Sequence, residues 1–291
     1  MWCGTLDSID EVHKIHSVLG ERASNCRIVL RIWVDDSHSA CPLVSKFGCM
    51  EEEEDAIMEA CKNYNMQIVG VAFHVGSGND STDAHKDAII RAKRVFDKGK
   101  EYGFVMNLLD FGGGWSGKLA DDKMHNEWLE KVSDTIHETL EETGFNAVPN
   151  VKYISEPGRY FNNDTIDVCC RVVNVQERNG CMVYRINEGV DTIFKDYFLC
   201  NELDFDVEVW AEGELFKTIF VGPSGKPYDK IEHLRIRKHM DGEYKDIMLP
   251  RLKIGDYVLF RHIGAYTVSL STRVLRDHQK HCYLVHESSL K

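Results

Sequence analysis

Three short stretches of this chain combine residue types that bind an anion. Residues 76–78 read Gly-Ser-Gly, residues 112–114 are three glycines, and Glu156 is followed by Pro-Gly-Arg. Backbone N–H groups at glycine-rich turns bind phosphate, and an arginine adds a bidentate cation for the same group. One such stretch is more often only a turn, but a hydrophobic run precedes each of them. We therefore expect a phosphate site built from several strand ends.

Two further side chains, His74 and Glu156, stand beside these glycines in the sequence. A carboxylate in such a pocket can pair with a protonated ring nitrogen of a ligand, and an imidazole can stack on an aromatic ring. The alternative for Glu156 is a solvent-exposed acid at a strand end. The alternative for His74 is a histidine in the core whose ring nitrogens are hydrogen-bonded within the protein. For His74 taken alone, the core histidine is the favoured interpretation.

The composition limits the classes of partner. The 291 residues carry a formal net charge of −12, which argues against nucleic acid and against an anionic membrane surface. No apolar run is long enough to span a bilayer, and the N-terminus has no secretion signal. The ten cysteines form no CxxC pair and the histidines show no ligand spacing, so we expect reduced thiols in the cytoplasm and no metal site.

The first half of the chain alternates strand-like and helix-like patterns. Strand-like runs cover 26–34, 67–78, 104–114 and 151–161, and helix-like segments cover 51–65, 83–103 and 125–144. This alternation predicts parallel strands with crossover helices, with Arg31 and the residues above at the carboxyl ends of the strands. Those ends form the active face of a (β/α) barrel and the ligand crevice of a doubly wound sheet. Four strands, or five with a short one near Trp2, are fewer than the eight of a barrel.

The second half has a different pattern. From about residue 164, short segments rich in β-branched and aromatic residues are separated by turns such as Asn179-Gly180. This pattern predicts an α/β domain over residues 1–163 and an all-β domain over residues 164–291.

Four ordered motifs, VGVAFHVGSG, LLDFGGGW, ISEPGRYF and GAYTVS, resemble those of eukaryotic ornithine decarboxylases. These are group IV Orn/Lys/Arg decarboxylases, enzymes of the alanine-racemase-like fold that use pyridoxal 5′-phosphate (PLP). The resemblance runs from about residue 5 to about residue 285 and includes RIWVDDS and LVSKFG. It implies a partial PLP-binding (β/α) barrel, with four to five of eight strands, followed by a C-terminal β-sandwich or β-barrel domain. It also implies PLP-dependent decarboxylation of L-ornithine to putrescine.

The resemblance gives each matching residue a role. Glu156 would pair with the pyridinium nitrogen of PLP, His74 would stack on the ring, and Arg31 would support the pocket. The phosphate would be bound by Ser77, Gly114, Gly158, Arg159 and Tyr266. Members of this family are typically head-to-tail homodimers, and Lys46 and Asp229 match a contact between the two subunits.

Two departures from the family pattern put activity in doubt. The lysine that forms the family's Schiff base with PLP has no counterpart, and Lys152 lies roughly 13 Å from Glu156 along one strand. In the segment GPSGKPYD, Gly225 stands at the position of the family's catalytic cysteine, and Lys226 replaces an aspartate that meets the substrate's distal amine. A lysine there reverses the charge complementarity to a diamine. Asn201 stands near the position of the other substrate aspartate.

These observations predict an ornithine decarboxylase-like protein of polyamine biosynthesis that is inactive or altered as given and holds PLP, if at all, non-covalently. The alternative is a non-catalytic paralogue that regulates or pairs with an active ornithine decarboxylase-like chain. Antizyme is a weaker expected partner, because the family's antizyme-binding surface lies mostly before the first residues here. An incomplete gene record and a shortened paralogue both remain open, and an open half-barrel is expected to be unstable alone.

Overall fold

A computed structural model describes residues 2–117, 122–199, 205–236 and 243–272. In the first part of the chain, five strands alternate with four helices. The strands are β1 (Trp2–Leu6), β2 (Cys26–Arg31), β3 (Gln67–Ala72), β4 (Leu108–Asp110) and β5 (Lys152–Ile154). The helices are α1 (Ile9–Leu19), α2 (Glu54–Asn63), α3 (Thr82–Glu101) and α4 (Asp122–Glu142).

Helix α1 is the element of this part that the sequence analysis does not identify. The side chain of Ser8 caps its N-terminus by accepting a hydrogen bond from the N–H of Glu11 at 3.4 Å. Val12 and Ile15, spaced for one helix face, are buried, and the chain leaves the helix at Gly20 with φ of +57°. The capping serine and this spacing are the signals that could have revealed the helix.

The five strands form one parallel sheet in chain order, β1-β2-β3-β4-β5. A doubly wound sheet would reverse the strand order at a switch point, whereas a (β/α) barrel adds each strand beside the previous one. The predicted fold class, a partial barrel of four to five strands followed by a β-domain, is therefore confirmed.

The strand register aligns the carboxyl ends. Arg31 pairs with Ala72, Ala72 with Asp110, and Asp110 with Ile154. The residues that follow these positions therefore leave the sheet along one edge, which is the edge where the predicted site residues stand.

The two faces of this sheet are covered to different degrees. One core, which includes Ile28, Leu30, Met58 and Phe73, fills the space between the sheet and the helices. The other face has a small buried cluster of Val29, Val69 and Ala72. All three residues of β5 are exposed, so this side of the half-barrel is open at β5.

The second part of the chain forms an antiparallel-rich sheet with two short helices. The helices are α5 (Gly158–Asn162) and α6 (Lys195–Leu199). The strands are β6 (Val168–Arg178), β7 (Cys181–Ile186), β8 (Val207–Val209), β9 (Phe216–Val221), β10 (Lys230–Ile231), β11 (His233–Ile236), β12 (Glu243–Leu249) and β13 (Tyr257–Phe260). The strand order is β11-β12-β9-β7-β6-β13-β8, with β10 on β9.

The predicted turn at Asn179-Gly180 joins β6 to β7. Both residues have positive φ, +51° and +77°, as the two-residue turns of hairpins require. A separate core, which includes Tyr184, Phe194, Phe220 and Phe260, fills this sheet. One of the short β-branched and aromatic segments of the second half, HCYLVHE at residues 281–287, lies outside the described residues. The division of domains at residue 163 stays a prediction. No helix among the described residues is long and apolar enough to cross a membrane.

Candidate functional site

The loops that follow β3 and β4 pack against each other through glycines. A Cβ at Gly112 would lie 2.0 Å from the carbonyl oxygen of Phe73, and one at Gly114 would lie 2.5 Å from that of Gly76. Gly112 and Gly114 also have positive φ, +64° and +95°. Only glycine allows both this backbone and this approach, so the predicted glycine cluster holds the two loops in contact.

Gly113 brings the predicted residues His74 and Glu156 together. A Cβ at Gly113 would lie 2.6 Å from Nε2 of His74 and 3.2 Å from the carbonyl oxygen of Glu156. The N–H of Glu156 donates to the carbonyl oxygen of Gly112 at 2.8 Å. The N–H of Gly76 donates to Nδ1 of His74 at 3.0 Å, so a neutral His74 ring carries its hydrogen on Nε2.

Burial, helped by one nearby charge, keeps His74 neutral. Burial, the largest cause, and the positive charge of Arg31 lower the pKa of His74 to about 4, while Asp36 opposes the shift. Burial also lowers the pKa of Arg31, against the opposing effect of nearby carboxylates that include Glu156 and Asp110. Burial raises the pKa of Asp110. The predicted Arg31 therefore lies within electrostatic reach of both His74 and Glu156.

Asp36 and Asp110 belong to this site and were not predicted. Asp110 ends β4, and its Oδ1 accepts the N–H of Gly112 at 2.8 Å. Asp36 is buried and accepts hydrogen bonds from the N–H groups of Leu43 and Val44. The position of Asp110 at the end of a hydrophobic run, two residues before Gly112, was the available signal, whereas nothing in the local pattern marks Asp36.

Three residues predicted to bind the phosphate lie close together after β5: Gly158, Arg159 and Tyr266. A Cβ at Gly158 would lie 3.4 Å from Oη of Tyr266, and Cζ of Arg159 lies 4.9 Å from the centroid of the Tyr266 ring. The N–H of Gly158 donates to the carbonyl oxygen of Glu156 at 2.8 Å, which joins this group to the one around His74.

Arg159 is buried, and Nη2 lies 3.1 Å from Oδ2 of the buried Asp196 in α6. The sequence analysis did not predict Asp196, because it stands in a segment with no glycine or strand signal. Ser77 follows Gly76 in the loop after β3, and its carbonyl oxygen accepts the N–H of Cys41 at 3.2 Å. The role of the Ser77 hydroxyl stays a prediction.

The substrate-side residues lie in a separate group of contacts. Nζ of Lys226 lies 2.8 Å from Oδ2 of Asp191 and 5.4 Å from the centroid of the Tyr228 ring. Hydrogen bonding to Asp191, the largest cause, and to Tyr228 raises the pKa of Lys226. Gly225 has φ of +70° and open space beside it, and Asn201 lies outside the described residues.

The two residues assigned to a subunit contact differ in exposure. Lys46 is exposed, whereas Asp229 is buried. The Asp229 carboxylate accepts the N–H of Val190 at 2.8 Å, and the N–H and the hydroxyl of Ser224 at 2.9 and 2.5 Å. In this chain Asp229 thus holds two loops of its own domain, and its contact with a second subunit stays a prediction.

Comparison with known proteins identifies relatives of this arrangement. Residues 1–163 match the family described as pyridoxal-dependent decarboxylase, pyridoxal binding domain. A probable ornithine decarboxylase of Dictyostelium discoideum is 33% identical over 284 residues, which cover 92% of this chain and 56% of that protein. Antizyme inhibitor 2 of Xenopus laevis is 30% identical over 269 residues, 85% of this chain and 54% of that protein.

A solved structure shares the fold. The arginine decarboxylase of Paramecium bursaria Chlorella virus, bound to agmatine, superposes with a TM-score of 0.77 at 27% identity, over 93% of this chain and 68% of that one. The resemblance drawn from the motifs is therefore confirmed. The chain spans about half the length of the two curated relatives named above.

Proposed function

Because the chain belongs to the pyridoxal-dependent decarboxylase family, we propose that it is an ornithine decarboxylase-like protein of polyamine biosynthesis that holds PLP non-covalently, with decarboxylase activity lost or altered. The observation that carries the proposal is the convergence of His74, Gly113 and Glu156 at one edge of the sheet, joined to Gly158 and Arg159. We also propose that the protein is cytoplasmic, a compartment in which its ten cysteines, which form no CxxC pair, would stay reduced.

The residues present fit a phosphate-bearing aromatic ring. Arg159 supplies a buried cation, and glycine at 158 leaves the backbone beside Tyr266 without a side chain. His74 is a neutral imidazole at pH 7 and can lie against a ring face, and Glu156 supplies a carboxylate for a protonated ring nitrogen. When bound, PLP supplies an electron sink for the loss of carbon dioxide from an amino acid.

The surroundings of His74 support non-covalent binding. The charged groups acting on the pKa of His74 are Arg31 and Asp36, and those acting on Arg31 are carboxylates. No lysine of the described residues is among the charged groups that shift the pKa of His74 or of Arg31. Lys152 is exposed on β5, four residues before Glu156, which lies in the loop after that strand.

The Lys226–Asp191 pair supports altered substrate recognition. A free carboxylate would attract the distal amine of ornithine, but here a lysine neutralises the acid at 2.8 Å. A second cation brought beside Lys226 would be repelled by it and would compete for Asp191. Ornithine and lysine, whose distal amines are cations, are therefore expected to bind poorly beside Lys226 and Asp191.

The purified chain tests the proposal. Absorbance and fluorescence titration with PLP should show saturable binding, and borohydride treatment followed by intact mass should leave the protein mass unchanged. Ornithine should yield no putrescine above background, with an active ornithine decarboxylase assayed alongside. Putrescine release, or a protein mass increased by one reduced cofactor, would contradict the proposal.

A second candidate function is pairing with an active ornithine decarboxylase chain. It is favoured by the open edge at β5, where Tyr153, Ile154 and the nearby Phe161 are exposed apolar side chains. The similarity to a protein described as antizyme inhibitor 2 accords with a regulatory role. Light scattering of the chain alone, with active enzyme and with antizyme separates a homodimer, a heterodimer and an antizyme complex. If the chain is a monomer alone and stays one with active enzyme and with antizyme, pairing is excluded as its function.

A further inference from the structure

The ion pair between Arg159 and Asp196 lies inside the proposed phosphate site. Both side chains are almost fully buried, with 8% and 3% of their surfaces exposed, and Nη2 of Arg159 lies 3.1 Å from Oδ2 of Asp196. Arg159 is the second residue of α5, which follows β5, whereas Asp196 is in α6, which follows β7. The pair therefore joins two elements that are distant in sequence.

The other neighbours of Arg159 place it among the residues that would hold a phosphate. Its Cζ lies 4.9 Å from the Tyr266 ring centroid, and a Cβ at Gly117 would lie 3.2 Å from its Cγ. The stem of the Arg159 side chain thus lies beside the loop after β4, and its guanidinium contacts the Tyr266 ring and the Asp196 carboxylate.

A guanidinium that already has a buried carboxylate partner is a weaker anion site than one without. Guanidinium and carboxylate together carry no net charge, so a phosphate that approaches Arg159 meets the negative charge of Asp196 as well as the positive charge of Arg159. In a site with little water this repulsion is weakly screened.

We infer that Asp196 is an internal competitor that sets the affinity of this chain for the phosphate of its cofactor by sharing Arg159 with it. The inference rests on the proposed function, because it takes Arg159 to be the phosphate residue. Asp196 touches Arg159 rather than the reacting atoms, so it acts through Arg159.

Asp196 also links the phosphate site to the substrate side. In the same short helix, Tyr197 donates its hydroxyl to the carbonyl oxygen of His233 at 3.2 Å, and Phe198 stacks on Tyr228 with ring centroids 4.8 Å apart. Tyr228 in turn lies beneath Nζ of Lys226. An anion that displaces Asp196 from Arg159 would therefore act on the helix that contacts the substrate-side loop.

Asp196→Asn tests the inference, because it removes the charge and keeps the size of the side chain. Thermal shift and fluorescence titration of the full chain would use PLP, inorganic phosphate and pyridoxal, which lacks the phosphate. We expect at least about tenfold tighter binding of the two phosphate ligands, from the removal of one nearby negative charge, and no change for pyridoxal. Asp246→Asn is the matched control, since Asp246 pairs with Lys217 at 2.9 Å on a half-exposed surface.

The outcomes separate the inference from the proposed function. If wild type binds PLP and Asp196→Asn binds it equally or more weakly, Asp196 orients Arg159 or has only a structural role, and the inference is wrong. If neither PLP nor phosphate binds wild type or Asp196→Asn, the proposed function fails together with the inference. Should Asp196→Asn not fold, Asp196→Ser removes the same charge and is titrated in its place.

Discussion

At the scale of single residues, the site depends on imidazoles that burial keeps neutral. His85 in the first turns of α3 is buried, and burial, with a smaller contribution from its interaction with His74, lowers the pKa of His85 to about 4. Among the described residues, neither ring nitrogen of His85 has a hydrogen-bond partner. Its ring lies 5.6 Å from that of Trp115, beside the glycine loop. His85 is therefore an unpaired base in the wall of the site.

This burial gives the protein an acid-sensitive fold. Between pH 6.5 and about 4 the unfolded chain takes up a proton at His85 that the folded chain does not, so stability falls as the pH falls. Each such histidine contributes about 1.4 kcal/mol per pH unit over this window. Urea unfolding across this range should show His85→Phe with a slope smaller by about that amount. The exposed His137→Gln is the control, and equal slopes in all three chains would refute this account.

At the scale of elements, α2 and α3 are held together around one buried carboxylate. Glu54, fully buried at the start of α2, lies 3.2 Å from Arg91, 3.3 Å from Arg94 and 3.1 Å from Lys98 of α3. A single buried acid thus contacts three cations on the facing helix. Removing its charge deprives Arg91, 16% exposed, of this counter-charge, whereas Arg94 and Lys98 keep Glu51 and Asp55 as partners.

Glu54→Gln should therefore destabilise the fold by about 3 kcal/mol, the lower end of the cost of breaking a buried ion pair on one side, because Arg94 and Lys98 keep other partners. The measurement is the free energy of unfolding from urea denaturation at neutral pH. Glu51→Gln is the matched control, because Glu51 also pairs with Arg94 but is exposed. The midpoint of urea unfolding of Glu51→Gln should match that of wild type. Equal losses in both variants would show that burial of Glu54 has no special effect.

The elements also show how far the sequence alone leads. Arg31, His74 and Glu156 were predictable, because each directly ends or follows a hydrophobic strand, and parallel strands align their carboxyl ends. Asp36 and Asp196 were not predictable. The position of Asp36 depends on how a long loop folds back, and that of Asp196 depends on how α6 packs beside α5. Neither is a property of local spacing.

At the scale of the whole molecule, the half-barrel exposes the edge of β5. Its residues Lys152–Ile154 pair with β4 on one side, and the apolar side chains of Tyr153 and Ile154 are accessible. A free strand edge with apolar neighbours is a surface on which another chain can add a strand. Self-association or pairing with a relative would cover it.

Ile154→Lys should lower this association, because a charged side chain beside the edge opposes the approach of a second strand. Light scattering over a range of concentrations should show a smaller average mass than wild type. Val18→Lys is the control, since Val18 is 70% exposed in α1, which follows β1 at the other end of the strand order from β5. If both lysine variants associate as wild type does, the contact between chains lies elsewhere.

The order of strands in the second sheet constrains synthesis on the ribosome. β13 is the last described strand, yet it lies between β6 and β8 and pairs with both. The parallel sheet, built from sequential neighbours, can form as the chain emerges, whereas β6 and β8 must wait for residues 257–260 to be translated. During that interval two nascent strands each have an edge with unpaired amides, so chaperone demand should be greatest before residues 257–260 emerge from the ribosome.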